Sequence, residues 1–465
     1  MRALAILLSL GLLAHSPADL TTDDGKTLES ALRVLRTGWD EDAGRTAIAI
    51  LENVDPLAPG YGAFFGEFFS EQLLTLELSR FLGNRALHGG PPAQRRMLQE
   101  ALAQLAAREI ESVLRSELPH RFGPELAGSR RFDHLRASMV LLGRLAFEGE
   151  LSRESRMGLY RRLRDVIASY PGVLRKEATI DAQPRLAPIR AQLYKNLHDL
   201  LVPFDAERFI ADAGFRGDYA ELVRNHGVLV LDNNGLDARQ LRAIREVLAL
   251  IPPELHRTRH ISVHELLGNW DGKVVVPLTG SLGVNLFDIS VASHMGNQFP
   301  EDVDPVAVPG FCSVLQHELN HTVDAYAVSG DPARSRRRNQ LVARAGSEPQ
   351  QYLRSMLEPG YFVRYPQEFF ASMANAYFTD SFHTLSLGIK RFENGYREPI
   401  NQFLFFAEVY SRGRGFVPFI VQSAECEYTL FPIPVGRDDR GRIDRIELPG
   451  ATLRFVLDEE GNVVR

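Results

Sequence analysis

The chain of 465 residues has only two cysteines, two tryptophans and seven methionines. Two cysteines cannot brace a disulfide-built miniprotein, so a folded core must come from hydrophobic burial. Lysine is nearly absent, at 5 against 48 arginines, and the 53 basic residues are outnumbered by 59 acidic ones. The resulting formal charge of −6 gives no global basic field that would draw nucleic acid or an anionic membrane. Basic–aromatic interleaving suited to single strands is also missing, as is any repeat of fixed period. Past the N-terminus no apolar run reaches the roughly 18 residues of a membrane span, so no stable membrane insertion is expected. Gly280-Ser281-Leu282-Gly283 lacks the lysine of a phosphate-binding loop and the spacing of a dinucleotide fingerprint, and reads as a turn. What remains, 45% hydrophobic and 24% charged residues, is near the globular average, and the length suits about two to four domains.

Met1-Arg2 makes a short positive start, residues 3–14 (ALAILLSLGLLA) are apolar or small, and Ser16-Pro17-Ala18 follows. The run is too short for roughly 30 Å of hydrocarbon, so residues 1–18 read as a cleaved secretory signal, which implies a secreted or periplasmic protein. No cysteine follows the run to take a lipid. An oxidising compartment would permit Cys312 and Cys426 to form a disulfide.

Residues 19–220 read as a helical N-terminal domain. Helical spacing recurs at 28–35, 64–81, 97–114, 135–147 and 159–167, broken by turn signals at 56–62, 89–92, 119–124 and 171–172. Over 221–412 short strands are expected at 228–231, 261–263, 274–276 and 284–289, with helices at 238–250, 311–328, 366–377 and 399–410. A β-rich extension over 413–465 has strands at 416–422, 428–431, 443–448 and 453–457, with turns at 438–441 and 459–462. The expected class is α+β, predominantly helical.

The chemistry-bearing motif is His317-Glu318-Leu319-Asn320-His321. Residues four apart on a helix are offset by about 40°, so both imidazoles reach one ion. Glu318, beside them, is placed to take a proton from water activated by zinc, whose pKa falls toward about 7. Asp324 lies on the same face, where a carboxylate can hold the outer nitrogen of a ligand histidine. A catalytic zinc usually takes three protein ligands, and Glu358, Glu368, Asp380 and His383 are the downstream candidates. Glu368 is favoured because it starts the apolar helix Glu368-Phe369-Phe370-Ala371-Ser372-Met373-Ala374, a rigid and water-poor wall.

HELNHTVDAY at 317–326, followed by PQEFFA at 366–371, resembles the metalloprotease domain of the anthrax toxin lethal factor family, which includes the secreted Pro-Pro endopeptidases. The resemblance covers roughly 230–380. It implies a zincin-like fold of the gluzincin type, zinc held by His317, His321 and Glu368, Glu318 as general base, and hydrolysis of a protein or peptide substrate. It also implies that Tyr361, seven residues before Glu368, faces the developing oxyanion, with Tyr365 as a rival. The chain departs from the family at Ser372, where glutamate is frequent. Two alternatives stand beside this reading: a hydrolase of cell-wall peptides, and a non-catalytic secreted binding protein on a degenerate protease fold.

Other signals carry less. His256, His260 and His264 recur every four residues, but 261–263 reads as strand, so the four-residue helical rule does not apply and they read as ordinary polar positions. Arg334, Arg336, Arg337 and Arg338 read as a solvated loop. Cys312, about 140° around the helix from His317, should point away from the metal.

Overall fold

The computed structural model describes residues 22–37, 39–53, 90–117, 130–169, 186–232, 236, 238–264, 288–292, 310–353, 359–411, 413–423 and 427–464. The expected signal at 1–18, helix at 64–81 and strand at 274–276 lie outside them, as does Cys426. The chain divides into two compact units, Met1–Phe215 and Arg216–Arg465. It is mostly helical with a small antiparallel sheet near the C-terminus, an α+β protein. No described helix is long and apolar enough to cross a membrane.

The first unit contains α1 (Thr22–Thr37), α2 (Glu41–Glu52), α3 (Pro92–Glu117), α4 (Arg130–Glu148), α5 (Arg153–Ser169), α6 (Leu186–Leu201) and α7 (Ala206–Ala213). Their apolar positions recur at helical spacing and are buried, as in Leu98, Leu102, Leu105 of α3 and Leu159, Leu163, Val166 of α5. The buried Arg156 is tolerated because its guanidinium donates to the carbonyls of Ala146, Gly149, Leu151 and Asp199.

The second unit opens with α8 (Gly217–His226), β1 (Leu229–Asp232), α9 (Ala238–Leu250), β2 (His260–His264) and β3 (Asp288–Ala292). The three strands form a parallel sheet in the order β1-β2-β3, with Leu229 beside His260 and His260 beside Asp288. α9 is the crossover that parallel pairing of β1 with β2 requires. There follow α10 (Gly310–Val323), a π-helical turn (Asp324–Val328), α11 (Pro332–Ala345), α12 (Pro359–Arg364), α13 (Pro366–Thr379), α14 (Ser381–Glu393) and α15 (Glu398–Ser411). The helix expected over 311–328 is thus α-helical only to Val323 and widens into the π-turn beyond it. The loop expected around Arg334–Arg338 is instead α11, entered through an N-cap at Asp331, whose side chain accepts from the Ala333 and Arg334 amides, with Pro332 in the first turn.

Strands β4 (Phe416–Gln422), β5 (Tyr428–Arg437), β6 (Ile443–Leu448) and β7 (Ala451–Arg454) make an antiparallel sheet in sequence order. It shares one core with the helices: Phe369, Phe370, Phe403 and Phe406 are fully buried together with Phe419, Ile420, Ile443 and Ile446. Pro418 stands opposite Pro432. Neither has an N–H, so theirs is a non-hydrogen-bonded pair, and the alternation turns the backbone of Leu430, Pro432 and Pro434 away from β4. The Val435 amide, one step out of phase, donates inward to Gly415 at 3.0 Å. Two prolines leave that outward edge short of donors, which discourages pairing with another chain. The opposite edge of β4 is closed by the α13–α14 junction, where Ile420 donates to Ser381 Oγ at 2.9 Å and Tyr377 donates to the Pro418 carbonyl at 2.6 Å. The last strand starts at Ala451 rather than 453 because Pro449-Gly450 is a two-residue turn, with Gly450 at φ +82°.

An Asp-led turn at Asp458 stiffens the C-terminal segment. Asp458 accepts from the amides of Glu460 and Asn462, at 2.9 and 2.8 Å, and from the Asn462 side chain. Burial works to raise the Asp458 carboxyl, but these hydrogen bonds and the Arg344 charge outweigh it and hold it below its ordinary value. A depressed folded-state pKa stabilises above the ordinary carboxylate range and loses that stabilisation as pH falls through the folded value. Asp458→Ala is expected to cost about 1–2 kcal/mol at neutral pH, discounted for its partial exposure. Urea titrations should show the gap to wild type closing in acid; a gap independent of pH would contradict this assignment.

Candidate metal centre

α10 is fastened on two sides, which aims the third. Cys312, Leu315, Leu319 and Val323 form one buried stripe. Gln316 and Asn320 form a second, buried among polar partners: the Gln316 amide donates to Gln422 Oε1 at 3.1 Å and to the Tyr428 hydroxyl, and Tyr410 donates to Asn320. His317 and His321 lie about 200° from Leu315 and Leu319 and turn toward α13. Cys312 is disulfide-bonded and no described cysteine is free, which anchors the first turn of α10 on the face away from the histidines.

Glu368 sits in the first turn of α13, where the helix N-terminus favours a carboxylate. The residues after it, Phe369, Phe370, Ala371, Met373 and Ala374, are all fully buried, so the wall expected from the sequence is present, and Ser372 is half-buried beside it. His317 Nε2 lies 3.2 Å from Glu368 Oε2, His321 Nε2 lies 3.5 Å from Glu368 Oε1, and the two Nε2 atoms are 3.0 Å apart. All three side chains are about one-fifth exposed. Burial works to raise Glu368, but hydrogen bonds to His317 and His321 and their charge outweigh it and bring its pKa down to about 2. Burial works against the His321 cation, yet Glu368, Glu318 and Asp324 together raise its pKa.

Two imidazole nitrogens and a carboxylate oxygen are the donor set that zinc takes, and tetrahedral bonds near 2.0–2.1 Å would place ligand atoms ~3.3 Å apart. The observed separations of 3.0 to 3.5 Å straddle that value. Glu318 supplies an independent observation. Its Oε2 is buried with no hydrogen-bond partner, and burial, only partly opposed by His317 and His321, raises its pKa. A carboxylate with one orphaned oxygen beside three converging donors fits a metal centre with a base next to it.

Of the rival third ligands, Asp380 is the N-cap of α14, accepting from the His383 amide at 2.9 Å, and His383 faces solvent; Glu358 lies outside the described residues. His256 and His260, read from the sequence as ordinary polar positions, are both buried. His256 Nδ1 accepts from the Thr258 amide, and burial pushes its pKa down to about 4. The side chain of His264 lies outside the description. Tyr361 and Tyr365 are both exposed, their rings 4.9 Å apart. Burial and the nearby Glu368 charge raise the Tyr361 phenol.

Asp324 is buried, but neither oxygen bonds a histidine: both accept from Arg338 Nη1, which also reaches Ser329 Oγ at 3.0 Å. The π-turn carries the carboxylate to α11, and its influence on His321 is through charge alone. Arg338 is therefore part of the site's surroundings that the sequence reading missed. Its signal was the helical spacing of Arg338, Leu341, Val342 and Ala345, all buried. Arg337 is also engaged, donating to Glu408 and to the Gly461 carbonyl. No family model matches the chain, and no curated protein or solved structure matches it.

Proposed function

We propose that the chain is an exported zinc-dependent endopeptidase of the gluzincin type, with a zincin-like catalytic unit and a helical unit before it. The observation that carries this reading is the convergence of His317, His321 and Glu368 beside Glu318, whose Oε2 is buried and unpartnered. His317, His321 and Glu368 would hold the ion. Bound zinc supplies Lewis acidity, which polarises a scissile carbonyl and acidifies water. Glu318 takes the proton of the attacking water and returns it to the leaving amine, and its raised pKa suits it to both transfers. Tyr361 donates its phenolic proton as a hydrogen bond to the oxygen on which charge develops. The buried stripes of α10 and α13 keep these groups on rigid elements. A purely structural metal site needs no proton acceptor, so the orphaned Glu318 Oε2 weighs against the binding-protein alternative.

Metal analysis of the purified protein is expected to give about one zinc per chain. A peptide library should be cleaved by that protein, should survive after chelation, and should be cleaved again when zinc is restored. A chain purified without zinc and unable to take it up would overturn the reading.

A further inference from the structure

Helix α12 is held by one side chain and displays others. Phe362 is fully buried, its ring 5.1 Å from Tyr352 and 6.1 Å from Phe369. Outward from that anchor stand Tyr361 at 40% exposure, Val363 at 52% and Tyr365 at 39%. Exposed large hydrophobic residues are ordinarily scattered, yet of the ten among the described residues three fall within 361–365.

Their position ties them to the metal centre. The Tyr365 amide donates to the Tyr361 carbonyl at 2.8 Å, and the Glu368 amide donates to the Tyr365 carbonyl at 3.0 Å. Two successive backbone hydrogen bonds thus fix both tyrosines relative to the carboxylate ligand. Tyr361 lies in α12 and Tyr365 just past its end, at the N-cap of α13, and their rings meet at 4.9 Å with a tilt of 51°. Such a pair leaves edges and faces open to a third ring in an edge-to-face arrangement.

We propose that Tyr365, paired with Tyr361, forms a subsite that selects substrate peptides carrying an aromatic side chain next to the scissile bond. This rests on the endopeptidase reading above. A second copy of the chain is a poor occupant, because three side chains fall far short of the roughly 800 Å² per partner that a stable interface buries. A substrate side chain needs only this much surface, and the protein backbone that carries both tyrosines leads directly to Glu368. Tyr365 touches the substrate beside the reacting bond and takes no part in proton transfer, so its effect falls on substrate binding.

The test is a positional peptide library against the zinc-loaded chain, with Tyr365→Ala, Tyr365→Phe and Val363→Ala compared by KM, kcat, zinc content and melting temperature. Wild type is expected to prefer Phe, Tyr or Trp beside the cleaved bond. Tyr365→Ala should raise KM for those peptides roughly five- to tenfold with kcat nearly unchanged, and should flatten the preference. Tyr365→Phe should keep the preference. Val363→Ala should change nothing, since two residues along a helix is the opposite side. Cleavage without aromatic preference, or a preference that survives Tyr365→Ala, overturns the subsite and leaves the endopeptidase standing. A zinc-loaded chain that cleaves no peptide overturns both.

Discussion

Glu318→Gln is expected to leave the zinc content at its wild-type value and to cut peptide hydrolysis by about 10²–10⁴-fold. The carboxamide keeps the size and hydrogen-bonding reach of the side chain but cannot accept and return a proton. It also removes a defect from the resting fold. Glu318 Oε2 is buried with no donor, and burial disfavours its charge, a cost that a neutral amide largely avoids. The variant should therefore melt no lower than wild type while losing activity, the pattern of a group kept for chemistry at the expense of stability. Metal analysis, kcat/KM on the best library peptide and a melting curve on the same preparation check all three parts. A variant with full zinc and full hydrolysis would show that Glu318 is not the base.

The centre was legible because its spacing is local. His317 and His321 share a face by helical geometry alone, and Glu368 announces itself as the one acid opening a largely apolar helix. Bringing α10 against α13 needs the fold, but the candidates on each were few. Arg338 was only faintly legible, through its spacing with Leu341, Val342 and Ala345 beyond the arginine run. In a run of four arginines its burial depends on α11 lying against a π-turn 14 residues earlier, and no periodicity within the run marks which arginine turns inward. The same limit applies to the C-terminal strands. Their order followed from turn residues such as Asp438 and Gly441, whereas their place in the common core follows from Phe419 and Ile420 meeting Phe403 and Ser381, contacts between elements far apart in sequence. The tilt of Asp324 away from the histidines is a third case. A helical projection puts residue 324 on the metal face, and only the widening after Val323 directs it to α11.

Arg338→Met is expected to destabilise the second unit by about 3–5 kcal/mol, because it strands the Asp324 carboxylate in a buried place. Both partners are nearly inaccessible, with side-chain exposures of 9% and 3%, so water cannot replace the guanidinium. Burial already raises the Asp324 pKa, and the Arg338 charge and hydrogen bonds are the largest influences opposing it. Without them the folded state favours the protonated carboxyl more strongly. A folded-state pKa above the unfolded one costs nothing at low pH, where both states are protonated, and costs progressively more as pH rises through the interval between them. The deficit of Arg338→Met should therefore shrink in acid, the same direction in which the Asp458→Ala gap closes. Adding Asp324→Asn should recover part of the loss by removing the stranded charge. Urea titrations with zinc chelated keep metal binding from masking the difference. A loss below about 1 kcal/mol, the range of an exposed pair, would show that Arg338 does not hold the π-turn behind His321.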